Sequence, residues 1–271
     1  MHILIKDDFD LYKIIHSGQC FRAVELDDGA FRFITGSHVL YIRHEKGIHY
    51  EISCSRYQWN HIWKPYFDLS CNYASIRDSI PAEESYLSQA AEYSRGIRIL
   101  RQDAWETMIT FIISQRKSIP AIASSVEKLC RRAGEKMETE RDILYTFPAP
   151  KAIARLSEQE LQSCSLGYRT PYISQTAAII KRTPHLLKDL ASCDDETLQE
   201  SLMALPGVGI KVASCIALFS YHRTGLAPVD VWIQRVIDRH YGGKNPFPRY
   251  GSQAGILQQY LFYYAQSTGM K

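Results

Sequence analysis

No apolar run in the sequence approaches the ~18–20 residues that a membrane-spanning helix needs, which excludes a helical bilayer protein. The opening residues, Met1-His2-Ile3-Leu4-Ile5-Lys6-Asp7-Asp8, have neither the basic region nor the apolar core of a secretion signal, so a cytoplasmic location is expected. Paired cysteines are also missing. Seven are present (Cys20, Cys54, Cys71, Cys130, Cys164, Cys193 and Cys215), and none falls in a C-x-x-C pair, which argues against a disulfide framework and a zinc knuckle alike. Charge of one sign is scarce: 32 Lys and Arg against 29 Asp and Glu leave +3, too little to require a nucleic-acid partner or to exclude one. There is no internal repeat and no low-complexity tract. At 45% hydrophobic and 23% charged residues, the chain can bury one large core or two smaller ones.

What is present changes character partway along. Residues 20–25, 30–35, 39–44 and 48–53 are short stretches rich in aromatic and β-branched side chains, separated by Asp27-Asp28-Gly29, Gly36-Ser37 and Glu45-Lys46-Gly47. They predict strands joined by tight turns, hence an antiparallel, curved meander. From about Arg56 the spacing becomes helical (Trp59, Ile62, Trp63, Phe67), and no convincing strand follows. Asp103 and Glu106 stand in a capping-box arrangement before an apolar helix that begins at Ala104. Further helices are expected over 118–132, stopped by Gly134, and over 170–182, before Thr183-Pro184. The fold class is therefore α+β: an N-terminal antiparallel twisted sheet over 1–72, then a mostly helical part over 73–271, whose last helix packs back on the N-terminal region.

The most informative segment spans 195–222. Two helical stretches flank Leu205-Pro206-Gly207-Val208-Gly209, and Lys211 stands in the first turn of the second. Gly207 and Gly209 permit close backbone approach, and the amides opening the second helix present partial positive charge, an arrangement that suits a DNA phosphate. On geometry alone a plain helical hairpin, whose glycines only serve the turn, is an equal reading. Pro228-Val229-Asp230-Val231 follows, with Asp230 placed to cap a helix running to about Tyr241.

Together, Leu205-Pro206-Gly207-Val208-Gly209-x-Lys211 and Pro228-Val229-Asp230 resemble the helix-hairpin-helix DNA glycosylases, and within them the 8-oxoguanine DNA glycosylase/AP lyases. Ser17-Gly18-Gln19-Cys20-Phe21-Arg22, Gly96-Ile97-Arg98-Ile99-Leu100-Arg101-Gln102-Asp103 and Leu166-Gly167-Tyr168-Arg169 extend the likeness in the same order along the chain. The resemblance implies a base excision repair enzyme that flips an oxidised purine out of double-stranded DNA. Lys211 then attacks the sugar C1′, forms a Schiff base and nicks the strand by β-elimination, with Asp230 stabilising positive charge on the sugar. The helix dipole beside Lys211 disfavours an ammonium, in keeping with a nucleophilic amine.

By the same resemblance, Gly18 presents a carbonyl to the N7 proton of 8-oxoguanine, Gln258 reads the Watson–Crick edge, and Phe262 and Cys215 flank the base. Tyr168 is a wedge with Arg169 beside it, and Gln115, Arg116 and Lys117 join Gly207 and Gly209 at the DNA. Here the chain departs from the family: Ser114-Gln115-Arg116-Lys117-Ser118 stands where asparagines are common, and Arg116 donates but cannot accept from an orphaned cytosine. The hairpin carbonyls of Leu205 and Val208 are the implied seat for a monovalent cation, with no side-chain metal ligands and no cofactor. No cysteine follows Cys215, so the four-cysteine iron–sulfur loop of endonuclease III-like relatives is not expected. A monomer that binds damaged double-stranded DNA, and no membrane, is the expected working form. Two alternatives stand beside it: a monofunctional alkylpurine glycosylase, against which Lys211 argues, and a non-catalytic helix-hairpin-helix binding module, which has no need of Asp230.

Overall fold

The structure, a computed structural model, describes residues 1–269. Five strands form one sheet: β1 (His2–Leu4), β2 (Val24–Glu25), β3 (Phe31–Thr35), β4 (His38–Lys46) and β5 (His49–Ile52), in the order β1-β5-β4-β3-β2. The meander expected from the turn residues is present, β2 pairing antiparallel with β3 and β4 with β5. Two details differ. β1 adds an edge strand, with Ile3 opposite Tyr50, and only the last two residues of the expected 20–25 strand join the sheet. The chain just before that strand is held by side chains instead: Gln19 donates to the Ser17 hydroxyl (2.7 Å) and the Arg98 carbonyl (2.9 Å) and accepts from the Leu100 amide (2.8 Å).

The aromatic run at 59–67 forms a helix with a π turn over Trp59–Trp63. Its three- and four-residue spacing puts Trp59, Trp63 and Phe67 on one buried side, where Phe67 meets Phe33 of β3 edge to face at 4.9 Å. The Ala104–Ser114 helix opens on Asp103, whose side chain accepts from the Glu106 amide at 2.8 Å. The Ile119–Ala133 and Thr170–Arg182 helices lie where the spacing placed them. The expectation that no strand follows the sheet is corrected by a small antiparallel hairpin, Lys136–Glu138 with Ile143–Tyr145. Its strands, of three residues each, are too short to show a period of two, and its turn is closed locally by Thr139, whose hydroxyl accepts from the Asp142 amide at 2.9 Å.

The chain forms two compact units, and the expected boundary at 72/73 falls inside the first. That unit comprises Met1–Phe33, Val39–Arg101 and the described chain from His222 onward; the second comprises Ile34–His38 and Gln102–Tyr221. The first unit gathers distant segments because the Ala254–Ser267 helix packs on both Ser85–Tyr93 and Val231–His240. A buried polar knot helps to hold it. Arg98 is fully buried and donates to the carbonyls of Phe67, Asp8, Asp68 and Cys71 and to the Asp7 carboxylate.

Asp68, in a left-handed backbone conformation (φ 52°), is also fully buried. It accepts from Arg101 at 2.8 Å and from the Tyr73 hydroxyl at 3.1 Å, with His222 Nε2 3.2 Å away. Burial pushes its carboxyl up, but His222 and Arg101 outweigh burial and hold it below the usual carboxylate range. A depressed folded value contributes stability that is complete above the unfolded value of ~3.9 and is lost as pH falls through the lower folded one. Asp68→Asn is therefore expected to cost roughly 3 kcal/mol in urea unfolding at pH 7, with the gap to the native protein narrowing below about pH 4. A gap that stays constant down to acid pH would show that the negative charge contributes nothing.

Candidate active site and nucleic-acid interface

The hairpin is built as the sequence anticipates. Asp195–Met203 is capped by Asp194, whose side chain accepts from the Thr197 amide at 2.7 Å, and Ile210–Phe219 begins after Gly209 with no side-chain cap. The two glycines between them differ. Gly207 has φ 79° and lies so close to Tyr172 that a Cβ would sit 2.7 Å from Tyr172 Cβ, whereas Gly209 is extended (φ −89°) and has open space. Only Gly207 needs to be glycine for backbone reasons. Gly207→Ala is expected to cost about 1–3 kcal/mol of stability and to weaken DNA binding at least ~10-fold at fixed salt, with Gly209→Ala near native in both. Urea unfolding and fluorescence anisotropy with duplex DNA check this; equal effects at the two glycines would refute it.

Two segments of the second unit meet the hairpin turn, and a third braces one of them. The Gln115 side chain donates to the Gly207 carbonyl at 3.0 Å and to the Ile112 carbonyl at 3.2 Å. The Gln115 backbone carbonyl in turn accepts from the guanidinium of Arg169, which also donates to Leu166 O and lies over the Tyr168 ring at 4.3 Å. Thr176 donates to the Pro206 carbonyl at 2.9 Å. Of the residues expected at DNA, Tyr168 and Arg116 are exposed, the latter with φ 53°, while Arg169 is buried and braces the loop. Lys117 turns inward to Ser125 Oγ and Ser165 O, and burial, with Arg169 and Lys128 nearby, holds its ammonium below the usual lysine range. Lys128, which donates to the Ser165 hydroxyl at 2.8 Å, was not visible as part of this cluster, since nothing in its helical context marks it. Leu205 O accepts from the Val208 amide at 3.1 Å. Among the described residues, no three His, Cys, Asp or Glu side chains gather as metal ligands.

Lys211 is half-buried on the second hairpin helix, and Cys215 lies buried one turn further along. Asp230 belongs to the first unit, half-buried, and caps Val231–His240 by accepting from the Ile233 amide at 2.9 Å. Gly18, Gln258 and Phe262 are in the first unit as well. Gly18 has φ 73°, and the carbonyl of its neighbour Ser17 accepts from Gln259 Nε2, which brings the Ala254–Ser267 helix to the Gly18 turn. Gln258 is buried with its Oε1 unpartnered, and Phe262, one turn on and half-buried, shares its face of the helix. Gln259 was missed: no sequence signal separates adjacent glutamines, one of which docks a turn while the other holds an unused acceptor.

An antiparallel sheet followed by a glycine-turned helical hairpin, with a lysine behind the turn and an aspartate-capped helix beyond it, defines an α+β helix-hairpin-helix protein. Residues 2–108 match the family model described as the N-terminal domain of 8-oxoguanine DNA glycosylase, and residues 109–252 match that of the HhH-GPD superfamily base excision DNA repair proteins. The chain is 30% identical to a probable N-glycosylase/DNA lyase of Methanothermobacter thermautotrophicus, over 97% of this chain and 95% of that one. It is similar to the solved structure of MBOgg1 in complex with a low-affinity DNA ligand (TM-score 0.93, 33% identity, 99% and 96% of the two chains covered). It is also similar to the 8-oxoguanine glycosylase/lyase of Clostridium acetobutylicum in complex with double-stranded DNA containing cytosine opposite 8-oxoG (TM-score 0.89, 30% identity, 99% and 98% covered). The chain belongs to the 8-oxoguanine DNA glycosylase family of the HhH-GPD superfamily.

Proposed function

We propose that this chain, a DNA glycosylase with DNA lyase activity, removes 8-oxoguanine from double-stranded DNA and nicks the strand at the resulting site, with Lys211 as nucleophile. The observation that carries the reading is the seat of Lys211: half-buried, in the first turn of a helix whose opening amides have no side-chain cap, and free of any ion pair among the described residues. Those amides and the Gly207 turn suit a backbone phosphate, and the lesion reaches the enzyme by leaving the base stack. The neutral Nζ attacks C1′ as the C1′–N9 bond breaks, and the base leaves with a proton. The sugar ring then opens to a Schiff base. Loss of a C2′ proton expels the 3′ phosphate, and water regenerates the amine. Asp230 stabilises the cationic sugar species.

In the same proposal the Gly18 carbonyl accepts the N7–H that guanine lacks, Gln258 uses its unpartnered oxygen on the Watson–Crick edge, and Phe262 and Cys215 border the base. The chemistry needs no cofactor, and one copy of the chain in the cytoplasm supplies every group named. Arg116 offers only donors to the orphaned base, so the preference for cytosine that asparagines at this place would give does not carry over to this chain.

A panel of duplexes, with each lesion set against each opposite base and read on gels before and after alkali, tests the reading. Release of 8-oxoguanine with direct strand nicking is expected, and the opposite-base series exposes the consequence of Arg116. Release of alkylated purine without nicking would favour a monofunctional enzyme instead.

A further inference from the structure

The amine end of Lys211 lies against an aromatic ring. Its Nζ stands over the ring of Phe111, 5.0 Å from the centroid. Among the described residues it makes no hydrogen bond or ion pair, although the helices packed on its own carry Glu106, Asp195, Glu196 and Glu200. Phe111 is 3% exposed on the Ala104–Ser114 helix and is stacked on Phe219 at 5.5 Å with 11° between the planes. Lys211 and Phe219 belong to the two ends of one helix, so the ring is gripped by the helix that bears the nucleophile.

An aromatic face attracts an ammonium through its quadrupole and has no comparable attraction for a neutral amine. A lysine that must lose a proton to water before attacking carbon is therefore held by this ring in its unreactive form only. We propose that Phe111 is a positioning residue for the reaction: its π face is the seat that keeps protonated Lys211 in place and orders it before DNA engages, and shedding the proton releases the amine toward the sugar. This inference rests on the role proposed above for Lys211.

The test keeps the shape of the ring and changes its electrons. Full-length protein carrying 4-fluoro-, 3,5-difluoro- or 3,4,5-trifluorophenylalanine at position 111 is compared with native protein in single-turnover borohydride trapping on duplex DNA containing an abasic site, over a series of pH values upward from pH 6. Trapping at pH 6 is expected to quicken stepwise with fluorine count, reaching about three- to tenfold for the trifluoro ring, the scale of a partly desolvated cation–π contact, because the whole pH profile moves toward lower pH. A flat series at pH 6 overturns the proposal, and so does a change in the maximal rate with no move of the profile along the pH axis, which is the mark of a packing effect. Phe111→Leu gives a second measurement: it fills the space without a π face and should show the same acid-side gain. Absence of any trapped adduct with native protein would instead remove the nucleophile itself, a result distinct from failure of the seat.

Discussion

Lys211→Gln is expected to abolish the borohydride-trapped adduct and to lower strand nicking by roughly 10³-fold or more, the scale on which loss of a covalent nucleophile registers. Binding to undamaged duplex should change by less than about threefold, because the hairpin amides and the Gly207 turn remain in place and one half-buried cation is a small part of the phosphate contact. The contrast between the two measurements is the informative result. A variant that still forms an adduct would place the nucleophile elsewhere, and Lys117 would then be the first amine to try, since burial and its cationic neighbours hold it below the usual lysine range.

The second large effect is expected at Asp230, where charge and cap can be separated. Asparagine still offers a side-chain oxygen to the Ile233 amide, so Asp230→Asn should leave unfolding within about 0.5 kcal/mol of native. Without the negative charge, the rate of base release should fall by about 10²–10⁴. Asp230→Ala should lose the same activity and a further ~1 kcal/mol of stability as the cap disappears. Single-turnover base release and urea unfolding on the three proteins separate the roles. Equal base release by native protein and Asp230→Asn would reduce the aspartate to a helix cap.

What the sequence made legible is what local interactions decide. The Thr170–Arg182 and Ile210–Phe219 helices, the cap at Asp230 and the meander of the sheet all follow from spacing, turn residues and capping side chains within a few positions of one another. Features set by distant partners were hidden. β1 exists because β5 offers it an edge. The inward turn of Gln115 depends on a carbonyl at Gly207, and that of Lys117 on Ser125 and Ser165, so a polar run that reads as a DNA-facing loop is in part the brace behind it. The seat of Lys211 on Phe111 was equally invisible, because the Ala104–Ser114 helix is apolar on nearly every side and nothing marks one phenylalanine among its neighbours.

The discontinuous make-up of the first unit bears on how the protein is born. A ribosome delivers Gln102–Tyr221 whole while the earlier unit still lacks the helices Val231–His240 and Ala254–Ser267. During synthesis Leu87, Ala90 and Ala91, the apolar side of Ser85–Tyr93, therefore wait without their final cover, and a nascent chain arrested near residue 222 would present that side to chaperones rather than to its own last helix.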